Sequence, residues 1–314
     1  MIEAAAARLA GQARATPLLS APLLDAAFGK RVFVKAECLQ VTGSFKFRGA
    51  WSAVSALAVS TRGVLATSSG NHGQGVALAA ARHGLAAVVV MPSDAPEAKI
   101  ANTRAYGAEV VLYDRATQDR DALGATLCAE RGLALIKPYD DAQVIAGQGT
   151  VGLEIAAQAK AAGVCAADVL VCCGGGGLSA GIALALEARA PGLRVRTVEP
   201  VGFDDMARSL AAGQRVRNAQ ASGSVCDAIL TPTPGEKTFP VLQRLAGPGL
   251  AVSDDQAMQA MALAFARLRI VLEPGGAVAL AAALFTTTTD PVICVASGGN
   301  ADPVVFGDAL ARFG

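Results

Sequence analysis

The sequence predicts an α/β fold with two lobes, in which parallel sheets carry helices on both faces. Four short apolar runs, separated by helix-length segments, occupy residues 63–67, 86–91, 110–113 and 133–136. Strands that alternate with helices of this length are typical of βαβ units on a parallel sheet. A second set of strands and helices follows residue 141, and 314 residues exceed the usual size of one hydrophobic core. We therefore expect a large domain of residues 1–51 plus 139–314 and a small domain of residues 52–138.

Strand and helix patterns can be assigned along most of the chain. Residues 1–20 predict a short helix that ends at Thr16 and Pro17. Residues 31–36 (RVFVKA) alternate as a strand does, and residues 47–57 have a helical pattern. The helices between the first four apolar runs begin near Asn71, Ala95 and Thr117. In the second half, the assigned elements are a long helix over 144–162 and strands over 169–173, 194–198 and 292–296.

The composition excludes several classes of protein. The chain is 53% hydrophobic and 17% charged, with a net charge of +1, so it is not a disordered chain and has no electrostatic reason to bind nucleic acid or a membrane surface. No uninterrupted apolar run is long enough to cross a membrane, and the N-terminus has no secretory pattern. The seven cysteines lack zinc-like spacing. We therefore expect a reduced, cytoplasmic protein.

Lys46 stands between two phenylalanines in the sequence GSFKFRGA, residues 43–50, where a helix should begin. Desolvation lowers the pKa of an ammonium group, and a neutral lysine can condense with a carbonyl to form a Schiff base. In the alternative interpretation, the amine reaches water between two core rings and has no chemical role. This motif on its own leaves both interpretations open.

Three further motifs each follow a predicted strand. SSGNHGQG, residues 68–75, offers backbone N–H groups, small hydroxyls and the Asn71 amide to an anion such as a carboxylate, or is only a capped turn. SGGN, residues 297–300, places Ser297 at the carboxyl edge of the sheet, where ligands bind in open α/β folds, or is an ordinary glycine turn.

The third motif is GGGGLSAG, residues 174–181, at a strand–helix junction. Four glycines let the backbone wrap closely around a phosphate, and the helix N-terminus adds partial positive charge. A competing interpretation is a dinucleotide-binding fingerprint, formed by Gly175, Gly177 and Ala180 with Glu199 closing the next strand. A single fingerprint of this kind is a weak signal.

The ordered set SFKFRG, SSGNHGQG, GGGGLSAG and SGGN resembles the pyridoxal-phosphate enzymes of fold type II, the tryptophan synthase β-like fold. Within them the chain is most similar to the serine/threonine dehydratases and serine racemases, from about Thr16 to Asp302. The segments 146–150 (AGQGT) and 272–274 (LEP) also match that family's pattern. Four motifs in the same order are more specific than one fingerprint, so a dinucleotide-dependent oxidoreductase becomes a distant alternative.

The resemblance implies roles for the cofactor-binding residues. Lys46 would hold pyridoxal 5'-phosphate covalently and later act as the base on the substrate α-proton. Phe45 would back the pyridine ring, Asn71 would donate to its hydroxyl, and Ser297 would meet its nitrogen. A hydroxyl at that nitrogen does not enforce a pyridinium cation, which suits β-elimination. The cofactor phosphate would bind to Gly174, Gly175, Gly176, Gly177 and Leu178.

The resemblance also implies a substrate site. Ser69 would be a second acid/base on the opposite face, which leaves racemase activity open. Arg120 would bind a second substrate carboxylate, or it is a solvated charge on a helix face. Tyr139 departs from the family pattern, which often has Asn or Phe, and this puts substrate preference in doubt. The substrate carboxylate would be held by Ser68, Ser69, Asn71 and His72.

A cation site is implied as well. The segment 199–205 (EPVGFDD) resembles the divalent-cation loop of the racemase branch. Glu199 and Asp205 would supply carboxylates and Phe203 its backbone carbonyl to Mg²⁺ or another divalent cation, which prefers such oxygen ligands. In the alternative interpretation, the segment is an acidic surface turn.

We therefore expect a pyridoxal-phosphate-dependent ammonia-lyase of class EC 4.3.1. Its default substrate would be L-threonine or L-serine, converted to a 2-oxo acid and ammonia. The alternatives are a 3-hydroxyaspartate dehydratase, if Arg120 faces the site, and a serine racemase. A non-catalytic protein that binds an amino acid or the cofactor is disfavoured. The resemblance also implies a homodimer, and we expect no appended regulatory domain and a role in amino-acid catabolism.

Overall fold

Two β-sheets organise the part of the chain that the structure, a computed structural model, describes: residues 1–68, 70–95 and 97–314. The strands are β1 (Leu18–Leu19), β2 (Val32–Lys35), β3 (Gly63–Thr67), β4 (Ala86–Pro92), β5 (Glu109–Tyr113), β6 (Ala134–Leu135), β7 (Ala167–Cys172), β8 (Leu193–Pro200), β9 (Leu250–Val252) and β10 (Val292–Val295). The first sheet has six strands in the order β1-β2-β10-β7-β8-β9, and the second has four in the order β5-β4-β3-β6. These strands pair in parallel, except that β1 is antiparallel to β2.

Helices connect the parallel strands, as the crossover between parallel neighbours requires. They are α1 (Ile2–Leu9), α2 (Pro22–Phe28), α3 (Lys46–Val54), α4 (Asn71–Arg82), α5 (Glu97–Ala105), α6 (Arg120–Arg131), α7 (Ala142–Ala161), α8 (Gly177–Arg189), α9 (Asp205–Ala212), α10 (Thr238–Leu245), α11 (Asp254–Leu268), α12 (Pro274–Phe285) and α13 (Pro303–Phe313). Short 3₁₀ turns occupy Glu37–Leu39 and Asp227–Ile229. Among the described helices, none is long and apolar enough to cross a membrane.

The order of the first sheet brings two of the predicted motifs together. Strand β10 lies between β2 and β7, and Cys294 of β10 is opposite Leu170 of β7. Because the strands are parallel, the loops that follow β7 and β10 leave the sheet at the same edge. The glycine run at 174–177 and Ser297 are therefore neighbours in space, although roughly 120 residues separate them in the chain.

Small residues allow the helices around the first sheet to pack closely. A Cβ atom on Gly149 of α7 would lie 2.8 Å from the carbonyl oxygen of Gly181 in α8. In the reverse direction, a Cβ on Gly181 would lie 2.5 Å from the carbonyl oxygen of Ile145. The two helix backbones thus pack closely, which explains Gly149 of the AGQGT segment without a catalytic role, and Gly147 in the same way faces the carbonyl oxygen of Arg48 in α3.

The core of the second sheet includes helix α3. Phe47 and Trp51 on α3 pack with Val76 of α4 and with the inner face of the sheet. Strands β3, β4, β5 and β6 all lie within residues 52–138, whereas the first sheet is built from residues outside that range. The predicted α/β class is confirmed, and the division into domains at residues 51/52 and 138/139 stays a prediction.

A buried network of charged groups anchors the start of α3. Arg48 makes paired contacts with Glu37, through Nε at 2.8 Å and Nη2 at 2.8 Å, and its Nη1 donates to Glu154 Oε1 at 2.7 Å. Lys35 on β2 pairs with the same Glu154. Arg48, Glu37 and Lys35 are at most 2% exposed, so these ion pairs are largely shielded from water.

Some predicted element boundaries differ from the structure. Helix α1 ends at Leu9 rather than at Thr16, because the chain turns at Gly11, which has a φ of +73°. The helix expected near Thr117 begins at Arg120, where the Asp119 side chain accepts hydrogen bonds from the backbone N–H groups of residues 121 and 122. The sequence assignment also left out α2, which begins at Pro22.

Candidate active site

A cavity of about 680 Å³ lies between the two sheets. Its walls come from the start of α3, the β3–α4 turn, the start of α6, the β7–α8 loop and the end of β10. The predicted cofactor and substrate residues that line it are Phe45, Lys46, Ser68, Asn71, His72, Arg120, Gly174, Gly175, Gly176, Gly177, Leu178 and Ser297. Ser69, the predicted second acid/base, lies outside the described residues.

Lys46 is the first residue of α3, and its side chain reaches into this cavity. Its Nζ donates a hydrogen bond to the carbonyl oxygen of Pro138 at 3.0 Å and lies 5.2 Å from the centre of the Phe45 ring. Desolvation by the surrounding protein lowers the pKa of the Lys46 ammonium group to about 8. A substantial fraction of this amine is therefore neutral near physiological pH and can act as a nucleophile or a base.

The glycine run forms a tight cradle at the N-terminus of α8. Gly176 has a φ of +91°, a conformation that favours glycine. A Cβ on Gly175 would lie 2.2 Å from the Tyr139 ring, and a Cβ on Gly177 would lie 2.5 Å from Gln148 Oε1. The first N–H groups of a helix have no partners within the helix, so this cradle can bind an anion of the size of a phosphate.

Ser297 follows β10 and faces the same cavity. Its Oγ accepts a hydrogen bond from the Cys172 thiol at 3.1 Å. Burial raises the pKa of Cys172 to about 11, so the thiol is protonated and can donate. The hydroxyl hydrogen of Ser297 is then left for an acceptor in the cavity. The sequence indicated only a small buried thiol at Cys172, because the contact depends on how β7 and β10 pair.

Asn71 opens α4 and is bound at both ends of its amide. Its Nδ2 donates to Glu273 Oε1 at 2.6 Å, and its Oδ1 accepts from Asn300 Nδ2 at 2.7 Å. Burial raises the pKa of the Glu273 carboxyl group to about 7. The sequence assigned no role to Glu273 or Asn300; the available signals were the LEP and SGGN segments that contain them.

His72 is a buried, neutral imidazole. Its Nε2 lies 2.8 Å from the carbonyl oxygen of Ile136, which can only accept, so Nε2 carries the proton. Desolvation, with a smaller contribution from the charge of Lys46, lowers the pKa of His72 to about 3. The ring therefore attracts no carboxylate by charge. Its backbone N–H, in the first turn of α4, is the group that can bind one.

Arg120 is the first residue of α6 and lies at the mouth of the cavity. Its side chain is half exposed, and its Nε donates to Asp121 Oδ1 at 3.1 Å. Tyr139 lines the same cavity, and burial raises the pKa of its hydroxyl group. Arg120 thus faces both solvent and the cavity.

The predicted cation residues lie outside the cavity lining. Glu199 at the end of β8 accepts hydrogen bonds from the backbone N–H groups of Met206 and Ala207, at 2.9 and 2.8 Å. Asp205 Oδ1 accepts from Asn218 Nδ2 at 2.6 Å. Among the described residues, no three or more His, Cys, Asp or Glu side chains come together in a way that could hold a metal ion.

The chain that forms this cavity is similar to known proteins of one family. The profile described as "Pyridoxal-phosphate dependent enzyme" matches residues 9–298. An L-threo-3-hydroxyaspartate ammonia-lyase from a Pseudomonas species is 44% identical over 280 residues, covering 88% of this chain and 86% of the relative. A serine racemase from Oryza sativa subsp. indica is 35% identical over 321 residues, covering 99% and 93%. The crystal structure of a threonine deaminase from T.th. matches with a TM-score of 0.90 and 47% identity, covering 96% of this chain and 97% of that one.

The buried His72 should make the protein less stable in acid. Its pKa is about 3 in the folded protein, against 6.5 as the reference value, so below about pH 6.5 only the unfolded chain takes up this proton. The contribution of His72 to the free energy of unfolding should then fall by about 1.4 kcal/mol for each pH unit between roughly 6 and 4, and the buried carboxyl groups with raised pKa values, Glu273 and Asp205, contribute in the opposite direction. Chemical denaturation at several pH values should show a shallower fall in His72→Gln.

His83→Gln is the matched control, since His83 lies outside the cavity lining. Equal slopes for the wild type and His72→Gln below pH 6 would contradict the assignment of a neutral His72.

Proposed function

This chain belongs to the family of pyridoxal-phosphate dependent enzymes, and we propose that it is an ammonia-lyase that converts a β-hydroxy amino acid to a 2-oxo acid and ammonia. The family and the lyase class predicted from the sequence are confirmed by the match and by relatives named ammonia-lyases. The match includes the glycine run, so the dinucleotide interpretation of that run is no longer needed. L-threonine and L-serine are the default substrates.

The observation that supports this function best is the desolvated Lys46 amine in a cavity that also contains the glycine cradle. Bound pyridoxal phosphate supplies an electron-withdrawing ring that spreads the negative charge left when the substrate loses its α-proton. Lys46 would hold the cofactor and then take up that proton. A pKa of about 8 suits this role, because the base must be neutral in part of the molecules and still accept a proton.

The other cavity residues would orient the cofactor. The N–H groups of Gly174, Gly175, Gly176, Gly177 and Leu178 would bind its phosphate, and Phe45 would back its ring. The hydroxyl hydrogen of Ser297, left free by the Cys172 thiol, would point to the ring nitrogen. A hydroxyl donor leaves that nitrogen without a full positive charge. The bound ring would then be a weaker electron sink, which would favour prompt loss of the β-hydroxyl.

The β3–α4 turn would hold the substrate carboxylate. Ser68 lines the cavity, and the first backbone N–H groups of α4, those of Asn71 and His72 among them, have no partner within the helix and would bind the anion. Ser69 remains a candidate acid/base on sequence grounds alone. When the β-hydroxyl group leaves as water, the enamine that is released hydrolyses to a 2-oxo acid and ammonia.

We further propose that the protein works as a cytoplasmic homodimer. The family resemblance supports the dimer. All seven cysteines are free thiols in the structure, which agrees with a reducing environment.

Replacing Lys46 tests the proposed function. The purified protein should have the visible absorption of bound pyridoxal phosphate and should form a 2-oxo acid from L-threonine or L-serine. Lys46→Ala should lose the bound cofactor on dialysis and at least about 1000-fold in kcat, because it removes both the attachment and the base. The measurements are the visible spectrum and a 2-oxo acid assay.

Lys137→Ala, at an exposed lysine on the rim of the cavity, is the matched control and should keep the spectrum. A wild-type protein that takes up no pyridoxal phosphate would contradict the proposal. Formation of D-serine from L-serine without a 2-oxo acid would replace the lyase with a racemase.

A second candidate substrate is a 3-hydroxyaspartate, and the position of Arg120 favours it. Arg120 lines the cavity, and its recorded partner, Asp121, is 75% exposed. Such an exposed ion pair contributes little, so the guanidinium can turn to a second substrate carboxylate and bind it with two parallel hydrogen bonds. The relative named L-threo-3-hydroxyaspartate ammonia-lyase, 44% identical, also supports this candidate.

Arg120→Ala should separate the two substrate types. If Arg120 binds the second carboxylate, kcat/KM for L-threo-3-hydroxyaspartate should fall about 10- to 100-fold, the usual loss for a charge-assisted hydrogen bond. The value for L-serine should change by less than about threefold, since L-serine has no second carboxylate. Arg115→Ala, an exposed arginine that pairs with Asp94, is the control. An equal loss for both substrates would contradict this role.

We also propose that Glu199, Asp205 and the Phe203 carbonyl bind Mg²⁺ or another divalent cation. Burial raises the pKa of Asp205 to about 6 and that of Glu199 well above its usual value. Asp205 Oδ2 is buried and has no hydrogen-bond partner among the described residues. Two neighbouring buried carboxyl groups, one with a free oxygen, fit a hard cation. A Cβ on Gly176 would lie 2.9 Å from Cε of the adjacent Met206, so Met206 packs close to the glycine cradle.

Divalent cations should then raise the melting temperature. A ligand that binds only the folded state at 100 times its Kd stabilises it by about 2.7 kcal/mol. Mg²⁺, Ca²⁺ and Mn²⁺ can be tested by thermal denaturation. Asp205→Asn should lose the effect, whereas Asp204→Asn, at a neighbouring carboxylate that pairs with Arg208, should keep it. No shift with any of these cations in the wild type would contradict the site.

A further inference from the structure

Glu273 is a buried carboxyl group inside the cavity whose role is not explained by the chemistry above. Glu273 lies immediately before α12 and is 6% exposed. Its Oε1 accepts a hydrogen bond of 2.6 Å from Asn71 Nδ2. Burying a carboxyl group is costly unless hydrogen bonds or charges compensate for the lost water. The contact with Asn71 is the side-chain hydrogen bond that the structure records for it.

The Asn71 amide belongs to a chain of hydrogen bonds with a fixed direction. Asn300 Nδ2 donates to the carbonyl oxygen of Thr42 at 2.9 Å and to Asn71 Oδ1 at 2.7 Å. A backbone carbonyl can only accept, so Thr42 determines which end of the Asn300 amide faces it. Because Asn300 Nδ2 is a donor, the oxygen of the Asn71 amide must face it as the acceptor. The nitrogen of the Asn71 amide then faces Glu273 and donates to it. One hydrogen of Asn71 Nδ2 remains for a further acceptor.

We propose that Glu273 is a positioning residue that keeps the nitrogen end of the Asn71 amide toward the ring hydroxyl of the cofactor. This inference rests on the proposed function, in which Asn71 donates to that hydroxyl. The two ends of an amide have nearly the same shape, but only the nitrogen end can donate. Without an acceptor at Glu273, one of the two groups that hold the amide in this orientation is lost.

Close packing at Gly298 supports a dedicated place for this carboxylate. A Cβ on Gly298 would lie 2.0 Å from Glu273 Oε1 and 3.2 Å from Asn71 Nδ2. The backbone N–H of Glu273 also donates to the carbonyl oxygen of Gly298 at 3.1 Å. The turn that carries Ser297 is therefore shaped to admit the Glu273 side chain, next to the two residues proposed to contact the cofactor ring, Ser297 and Asn71.

The charge of Glu273 has a second, separable effect on Lys46. It raises the pKa of Lys46, against the larger lowering by desolvation. The ionisable groups that interact with Glu273 are Lys46, Lys99, Asp227, Cys38 and Cys172. Glu273→Gln keeps an acceptor for Asn71 and removes the charge. This variant should therefore keep the cofactor contact and shift the rising limb of the pH profile, where Lys46 loses its proton, to lower pH.

The affinity of the apoprotein for pyridoxal phosphate tests the positioning role. Apoprotein of each variant is titrated with the cofactor and followed by visible absorption. Glu273→Ala should bind about tenfold more weakly, since one buried hydrogen bond is removed. Glu273→Gln should stay within about threefold of the wild type, because the acceptor is retained. Glu236→Gln, an exposed carboxylate on the cavity rim, is the control and should match the wild type.

A double-mutant cycle shows whether Glu273 acts through Asn71. In the Asn71→Ala background, Glu273→Ala should cause no further loss of affinity, because the group that it positions is absent. Losses that simply add would overturn the proposal, as would a Glu273→Gln variant as impaired as Glu273→Ala. If far-UV circular dichroism shows that Glu273→Ala is unfolded, Glu273→Met, of similar length and without a strong acceptor, takes its place.

The wild-type titration separates this inference from the function on which it rests. If the wild-type apoprotein takes up no pyridoxal phosphate, the proposed function itself is contradicted. A wild type that binds the cofactor and forms 2-oxo acid, together with a Glu273→Ala variant of equal affinity, would overturn the role of Glu273 alone.

Discussion

The cavity depends on the buried ion network that holds the start of helix α3. Arg48, two residues after Lys46, makes paired contacts with Glu37 and Glu154, and Lys35 completes the set. Breaking such a buried pair by removing one partner typically costs about 3–5 kcal/mol, because an uncompensated charge is left behind. The network therefore tolerates little movement of α3. Lys46 starts that helix, so its amine has a defined place relative to the glycine cradle.

The same network joins segments that are far apart in the chain. Lys35 belongs to β2 of the first sheet, Glu154 to α7, and Arg48 to the helix that packs beneath the second sheet. The two cores therefore meet at a charged, directional contact rather than at an apolar one alone. Directional contacts specify one arrangement more strictly than apolar packing does, and a cavity built from both sides requires such an arrangement.

The sequence predicted the parts of the site that local patterns encode. Strand β3, the start of α4 at Asn71 and the glycine cradle each follow from hydrophobic periodicity or from residues with special backbone freedom. Glu273 and Cys172 were missed as functional residues because each works through a partner more than 120 residues away. Their contacts depend on strand order and on helix packing, which one sequence without relatives does not reveal. The end of α1 was missed because Gly11 is a single residue in a helical pattern.

Burial favours the neutral forms of several titratable side chains around the cavity. Burial keeps His72 neutral and the Cys172 thiol protonated, while it makes the Lys46 amine easier to deprotonate. The hydrogen-bonding groups expected at the cofactor ring, Ser297 and Asn71, are also neutral. A strong electron sink would need a full charge at the ring nitrogen, and Ser297 does not provide one. The expected partners of the ring are thus neutral, and the titratable groups with shifted pKa values in the cavity wall include Lys46 and Glu273. With the proposed role of Ser297, such a site would favour rapid elimination after proton removal over long storage of a carbanion.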